Sequence, residues 1–144
     1  MASRYHIREV DGFDDDIAET LDILHDLCFG TTAPKVPYDY GHWWIAYCDK
    51  EPVAFAGLTP STMGEGIGYL KRVGVLPEHR GRGLHKRLTR VREARAKRNG
   101  WHQLITDTTD NVPSANNLIK AGYRLFRPQP WAFERSLYWM KELQ

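Results

Sequence analysis

The sequence predicts a mixed α/β domain, and three observations lead to this fold class. The 144 residues are about the length of one ordinary domain, so residues 1–144 are expected to form one. The composition, 42% hydrophobic and 26% charged, is typical of a folded globular protein. Segments with strand and helix patterns follow one another in the order β, α, β-β-β, α, β, α, β-β. Parallel pairing is expected wherever a helix connects two strands.

The first two elements are a strand and an amphipathic helix. Residues 4–10 alternate between apolar and polar side chains, which predicts a strand. The acidic residues 14–16 are candidates for capping a helix that runs through about Cys28. The predicted apolar face of this helix consists of Ile17, Leu21, Leu24 and Cys28.

A loop and a hairpin follow. Residues 30–40 include two prolines and predict a loop or a short broken helix. Runs rich in aromatic and β-branched side chains predict strands at residues 43–48 and 53–59. A turn at residues 49–52 joins the two strands, so together they predict a β-hairpin.

The central elements are a strand and a long helix. Three closely spaced glycines mark a turn, and residues 69–76 then predict a strand. A loop rich in glycine and arginine leads into the helix, which ends at Asn99-Gly100. The predicted apolar stripe of this helix consists of Leu84, Leu88, Val91 and Ala94.

The last part of the chain predicts two strands around a short helix, and then a closing strand. Residues 101–106 form the first strand, and residues 114–121 form a helix that Gly122 stops. Residues 123–126 and 135–140 complete the sheet.

Several classes of protein are excluded by what the sequence lacks. No apolar run approaches the ~20 residues that span a bilayer, and the first residues lack the apolar core of a secretory signal. A cytoplasmic protein without a membrane partner is therefore expected. Cys28 and Cys48 have no CxxC motif, which predicts reduced, buried thiols. The six histidines lack metal-ligand spacing, so no metal site is expected.

Charge is distributed unevenly along the chain. Residues 78–98 contain nine lysines or arginines against two glutamates, whereas residues 1–51 contain four against eleven acids. This asymmetry predicts one region that contacts an anion and another suited to a cation. Five arginines of the long helix are predicted to form a solvated face: Arg87, Arg90, Arg92, Arg95 and Arg98.

The segment 73–86 has the features of an anion-binding loop. A strand runs into Gly81 and Gly83, which let the backbone approach a ligand, and the loop opens onto the N-terminus of a helix. Arg80, Arg82 and Lys86 add positive charge. The spacing differs from both the Walker loop and the G-x-G-x-x-G dinucleotide motif.

Two motifs carry a resemblance to the GNAT superfamily of N-acetyltransferases. The run RGRGLH at residues 80–85 resembles the family loop (Q/R)-x-x-G-x-(G/A), with His85 at the last position, and the preceding VLPE also matches. The run NVPSANNLIKAGY at residues 111–123 resembles the family's N-x-x-(S/A)-x-x-(L/F)-Y-x-x-x-G-(F/Y) helix. The resemblance is close over roughly residues 69–127.

The resemblance implies the acyl-CoA N-acyltransferase fold and acetyl-coenzyme A as cofactor. That fold has a mostly antiparallel sheet of about seven strands with helices on both faces, and strands four and five splay apart. The pantetheine arm pairs with strand four, and the pyrophosphate lies on the loop. The residues expected to bind the cofactor are Val73, Gly74, Val75, Arg80, Gly81, Arg82, Gly83, Leu84, His85, Lys86 and Asn111.

The resemblance also suggests catalytic positions, and two of them depart from the family pattern. Tyr69 stands where the family often has a carboxylate base; since tyrosine is a poor base, Glu65, Asp107 or a water chain are alternatives. Leu118 occupies the position where the family usually has a tyrosine that serves as the general acid. Tyr123 is the nearest tyrosine in sequence, with a core aromatic as the competing interpretation. Tyr69 and Tyr123 are the predicted catalytic residues.

The resemblance implies that the acceptor lies near the first helical segments, which are acidic and aromatic here and suit a cation. The competing interpretation is that these acids cap and solvate the first helix. Tyr38, Trp43 and Asp107 are the predicted substrate-binding residues. The predicted activity is acetyl transfer to the primary amine of a small cationic molecule. Alternatives are a protein or peptide amine, a non-catalytic coenzyme A-binding domain and, last, nucleic-acid binding through the basic helix. The aromatic segment 131–139 is a candidate homodimer interface.

Overall fold

The computed structural model describes residues 4–109, 111–128 and 136–144. Seven strands and three α-helices occur in these ranges. No helix in them is long and apolar enough to cross a membrane. The elements in chain order are β1 (Tyr5–Val10), α1 (Asp15–Phe29), β2 (His42–Cys48), β3 (Glu51–Pro60), β4 (Ile67–Val75), α2 (Leu84–Arg98), β5 (Gln103–Thr109), α3 (Val112–Lys120), β6 (Arg124–Phe126) and β7 (Ser136–Glu142), with a 3₁₀ turn at Pro77–His79 before α2.

The strands form one seven-stranded mixed sheet in the order β1-β2-β3-β4-β5-β7-β6. Pairing is antiparallel between β1 and β2, β2 and β3, β5 and β7, and β6 and β7. β4 and β5 pair in parallel, with Ile67–Tyr69 opposite Gln103–Ile105. This pairing covers three of the nine residues of β4, which agrees with the expected splay. The predicted mixed α/β fold is confirmed. The expectation of parallel pairing across every helix is wrong for β1 and β2, which α1 connects: Val10 lies opposite Trp43, so β2 starts at the edge of the sheet where β1 ends and the pair is antiparallel.

The chain divides into two compact units. The first contains the described residues up to Thr59 together with Lys71–Leu88. The second contains Pro60–Leu70 and the described residues from Thr89 onward. β4 and α2 therefore each contribute to both units.

In the first unit, α1 packs its apolar face on the sheet. The Asp14 side chain caps this helix by accepting hydrogen bonds from the amides of Asp16 and Ile17, at 2.9 and 3.1 Å. Leu21 and Leu24 are buried, as predicted, in a cluster with Trp43, Ile45 and Phe55. On the opposite sheet face, further side chains are buried as well, so both faces are covered: Trp44, Ala46, Ala54 and Ala56.

The hairpin differs from its predicted form because its turn is shorter. β3 begins at Glu51, so the turn consists of Asp49 and Lys50, and Asp49 adopts φ +56°. Pro52 lies inside β3 opposite Tyr47, where the register shifts. Proline lacks an amide donor, which explains an irregularity at this point of the ladder. Residues 30–40 form a loop without a helix. Both cysteines are free; Cys48 is buried and Cys28 is half-buried.

The buried face of α2 differs from its predicted stripe. Val91 is half-buried and Ala94 is exposed, so the prediction for Ala94 was wrong. Four buried positions instead recur every fourth residue, as a row along one side of a helix does. They are Leu84, Leu88, Arg92 and Ala96, and Thr89 is buried beside this row.

Arg92 corrects the prediction that all five arginines of α2 are solvated. It is 1% exposed, and its Nη2 donates to Thr89 Oγ1 at 3.3 Å. Burial lowers its pKa to about 10, while Tyr123 and Glu93 favour the charged form. A charged side chain thus belongs to the core of the second unit.

Gly74→Ala should lower the free energy of unfolding by about 1–3 kcal/mol, because inserting a methyl group into a packed core is costly. A Cβ at this position would lie 2.8 Å from both Cys28 Sγ and Phe55 Cε1. Urea unfolding measures the effect. In the control Gly64→Ala, the added Cβ meets only Ile67 Cδ1, at 3.3 Å among the described atoms, and a change under about 0.5 kcal/mol is expected. Equal stability of both variants would contradict the packing argument.

Candidate active site

The loop between β4 and α2 contains two glycines in the left-handed region. Gly81 has φ +74° and Gly83 has φ +80°, conformations that L side chains rarely adopt. A Cβ at either glycine would have no heavy atom within 4 Å among the described residues. The glycines are therefore required by backbone conformation rather than by crowding, and they leave the main chain open to a ligand.

Hydrogen bonds fix the part of this loop that precedes Gly81. Arg80 Nε donates to the Val75 carbonyl at 3.0 Å, and the Leu76 amide donates to the Val53 carbonyl at 2.9 Å. His79 Nδ1 and Tyr5 Oη share a hydrogen bond of 2.9 Å. The loop is thus held in place on its β4 side.

The N-terminus of α2 supplies the positive end of a helix at this loop. The first backbone bond of the helix runs from the Arg87 amide to the Gly83 carbonyl, at 3.1 Å. Amides ahead of it lie outside the intrahelical ladder, where they favour anions. Leu84 is buried and anchors the first turn, whereas Arg82 and Lys86 are exposed. This arrangement suits a diphosphate.

The part of β4 next to this loop carries the predicted pantetheine-binding residues. Val73 and Val75 are half-buried, and Gly74 between them is buried. Gly74 packs against Cys28 of α1 and Phe55 of β3. The structure therefore gives Gly74 a packing role in addition to its predicted cofactor role.

In the second unit, the structure brings together Tyr69 and Asp107, which were predicted separately as catalytic and substrate-binding residues. The Tyr69 hydroxyl donates to Asp107 Oδ1. Tyr69 is opposite Ile105 in the parallel pair, and Asp107 follows two residues later, so both side chains lie on the same sheet face. Glu65, the other candidate carboxylate, is exposed in the turn before β4.

Tyr123 is a core residue held by a carboxylate. It is 4% exposed, and its hydroxyl donates to Glu93 Oε2 at 2.8 Å. Lys141 Nζ donates to both Glu93 oxygens, at 3.1 and 3.3 Å, and to the Ala121 carbonyl at 2.7 Å. Burial and then Glu93 raise the pKa of Tyr123. The core interpretation accounts for this tyrosine, and its catalytic role stays a prediction.

The motif helix α3 shows two local interactions. Asn111 caps the helix, since its Oδ1 accepts from the Ser114 amide at 3.1 Å. Leu118, at the position of the usual family tyrosine, is 5% exposed. Asn111 therefore has a structural role beside its predicted cofactor contact, and Leu118 offers no titratable proton.

The predicted substrate residues of the first unit are largely used in packing. Trp43 is 1% exposed and its indole N–H donates to the Tyr40 carbonyl at 2.9 Å. Tyr38 contacts Trp43 edge-on, with ring centroids 5.0 Å apart. The Tyr38 hydroxyl is buried and has no hydrogen-bond partner among the described residues. Burial, then Asp22, raises its pKa to about 12.

The acidic surface of α1 is partly neutralised within the first unit. Lys35 Nζ donates to Asp22 Oδ1 at 2.8 Å and to Asp26 Oδ1 at 2.7 Å. Less negative charge therefore faces a cationic acceptor here than the sequence predicts. Sequence reasoning found this region by composition, but it had no signal for the lysine bridge between the two acids.

The fold and the glycine loop together define the class of coenzyme A-dependent N-acyltransferases. The chain belongs to the acetyltransferase (GNAT) family, whose sequence model matches residues 10–123. This family uses acetyl-CoA. No curated protein is a significant match to the sequence.

Solved structures of this fold align over nearly the whole chain. A candidate acyl-CoA N-acyltransferase from Klebsiella pneumoniae subsp. pneumoniae MGH 78578 is 23% identical, with a TM-score of 0.73 over 97% of this chain and 98% of that one. The candidate acetyltransferase yncA from Salmonella typhimurium, solved with its cofactor acetyl-CoA, is 18% identical, with a TM-score of 0.73 over 99% and 95%. The ribosomal-protein-S18-alanine N-acetyltransferase from Escherichia coli is 12% identical, with a TM-score of 0.75 over 96% and 94%.

Gly81→Ala should weaken acetyl-CoA binding about tenfold, because a left-handed alanine costs about 1–2 kcal/mol and the loop relaxes away from this shape. Isothermal titration calorimetry measures the affinity. Gly100→Ala is a matched control: Gly100 has φ +79° and, among the described residues, no heavy atom within 4 Å of an added Cβ. The control should lose similar stability but keep its affinity, and equal weakening in both variants would refute a specific role of the loop.

Tyr123→Phe should lower the free energy of unfolding at neutral pH by about 1–3 kcal/mol, since it removes a hydrogen bond to a charged group. The raised pKa means that the folded state retains the phenol proton above pH 10, where the unfolded chain releases it. Wild-type stability should therefore fall as the pH rises above 10, and the variant should fall less. Denaturation across this range checks both effects, with the exposed Tyr40→Phe as control.

Proposed function

We propose that the chain, acting as a single domain over residues 1–144, transfers the acetyl group of acetyl-CoA to the primary amine of a small cationic molecule. The observation that carries the proposal is the left-handed glycine pair at the start of α2. Its open backbone, the helix N-terminus and the exposed Arg82 and Lys86 form a site for a diphosphate.

The residues at this loop fit the cofactor. Main-chain amides from Gly81 to Lys86 would hold the pyrophosphate, with Arg82 and Lys86 as charge partners. The bonded Arg80 keeps the loop against β4. When bound, acetyl-CoA supplies an acetyl thioester. The backbone of Val73–Val75 would pair with the pantetheine arm and polarise the thioester carbonyl.

Because the main chain polarises the thioester carbonyl, this step of the proposed reaction requires no particular side chain. An amine supplies the electron pair for the new C–N bond, the C–S bond breaks, and a proton from nitrogen passes to the departing sulfur. An alkyl ammonium with a pKa of ~10.4 must first lose a proton. That step needs a polar group near the acceptor.

Tyr69 and Asp107 support a cationic acceptor. A carboxylate beside an aromatic ring attracts an ammonium group by charge and by the ring face. Asp107 is half-buried, so its charge is screened less than that of a surface aspartate. We therefore place the acceptor nitrogen at this pair; Trp43 and Tyr38 are weaker candidates, because their contacts are mainly internal.

A non-catalytic coenzyme A-binding domain is the second candidate, and one observation favours it. Leu118 is buried at the position where the family usually has a tyrosine that acts as the general acid. An assay of free thiol release with acetyl-CoA and a panel of polyamines, amino sugars and lysine peptides separates the candidates. Thiol release with small cations supports the proposal, release with peptides alone favours a protein substrate, and tight binding without release favours the second candidate.

Two further predictions concern location and assembly. We propose a cytoplasmic protein that forms a homodimer. The candidate interface at residues 131–139 lies partly outside the described residues, which resume at Ser136. Within its described part, Leu137 is 49% exposed. Leu125, outside this segment on the neighbouring strand β6, is 56% exposed, and the two leucines support an apolar contact. Sedimentation analysis tests it.

Tyr69→Phe should lower kcat at least about tenfold while acetyl-CoA affinity is unchanged, because it removes a hydroxyl beside the proposed acceptor but no part of the loop. Thiol release gives kcat, and calorimetry gives the affinity. Tyr40→Phe, at an exposed position of the first unit, is the control. Unchanged turnover of Tyr69→Phe would remove Tyr69 from the mechanism.

A further inference from the structure

The Asp107 carboxylate has one engaged oxygen and one that is available. Its Oδ1 accepts the Tyr69 hydroxyl. Among the residues that the structure describes, no second donor contacts this carboxylate. A fixed carboxylate with an available oxygen is able to accept a proton, and the bond to Tyr69 sets its orientation.

Asp107 also lies in an aromatic row that crosses the sheet. It is opposite Tyr138 on β7, and Tyr138 is opposite Phe126 on β6. The rings of Phe126 and Tyr138 are in edge-on contact, with centroids 6.3 Å apart. Tyr69 is the diagonal neighbour of Asp107 on the other side. The carboxylate is thus flanked by aromatic side chains, which limit its contact with water.

α2 and the end of α3 contact the opposite face of the sheet through Lys141. Side chains along β7 point to alternate faces of the sheet, so Lys141 lies on the face opposite to that of Tyr138 and Met140. The Lys141 amine donates hydrogen bonds to Glu93 of α2 and to the Ala121 carbonyl after α3. Glu93 is therefore satisfied by two donors in a structural network. Asp107 lies on the other face, and among the described residues its second oxygen remains available for chemistry.

We infer that Asp107 is the general base of the reaction and that Tyr69 is its positioning residue. This inference rests on the proposed acetyltransferase function. The acceptor's N–H bond breaks and an O–H bond forms at Asp107 Oδ2, while the electron pair stays on nitrogen as the nucleophile. The ammonium and the carboxylate become a neutral amine and a neutral carboxylic acid, so charge balances. Asp107 later returns its proton to solvent.

The test compares two kinds of acceptor in Asp107→Asn. With an alkyl amine, which needs deprotonation, kcat/KM should fall about 10²- to 10⁴-fold. With an acceptor that is already neutral at the assay pH, such as a hydrazide or an arylamine, it should fall less than about tenfold. A merely structural role would reduce both rates alike. Circular dichroism and acetyl-CoA calorimetry confirm that the variant is folded and binds its cofactor.

A control variant and two contrary outcomes make the test specific to Asp107. Asp49→Asn makes the same change at an exposed aspartate of the first unit and should match wild type with both acceptors. Equal losses with both acceptors in Asp107→Asn, or a selective loss in Glu65→Gln instead, would overturn the assignment of the base. A wild-type protein that binds acetyl-CoA but acetylates neither acceptor would overturn the acetyltransferase proposal, and this inference with it.

Discussion

The site depends on how main-chain amides are arranged where β4 gives way to α2. Two residues there adopt φ values near +75° to +80°, which glycine tolerates and other residues resist. Their conformation lets α2 begin at a buried Leu84 while the amides ahead of its first internal hydrogen bond remain directed at the loop. The exposed cations Arg82 and Lys86 reinforce this arrangement, but they do not create it.

The second unit uses two carboxylates in different ways. Glu93 is fixed between a lysine and a tyrosine, so it joins α2 to β7 and holds the end of α3. Asp107 is bound on one side alone among the described contacts. The surroundings of the two carboxylates thus differ, which gives Glu93 a structural role and supports the proposed reactive role of Asp107. The buried Arg92 adds a positive charge close to the structural carboxylate.

Sequence reasoning found the elements and the loop because both depend on local patterns. Alternation, N-cap acids and helix-ending glycines are readable within a few residues, and β1, α1 and α3 begin close to where they were predicted. Partners distant in the chain were not readable. Lys141 and Glu93 are separated by 48 positions, and Tyr69 and Asp107 by 38. Arg92 was misplaced because charge normally indicates a solvated position, and only packing shows that this one is covered.

Gly74 occupies a strand whose backbone is assigned to the pantetheine arm, yet its absent side chain accommodates α1 and β3. In a saturation mutagenesis screen read out by enzyme activity, substitutions at this position would lower the score through lost stability, and larger side chains would lower it more. The loss of activity in these variants would then be attributed to weaker cofactor binding. Measuring protein abundance in parallel would assign the effect to its origin, the space shared with a cysteine and a phenylalanine.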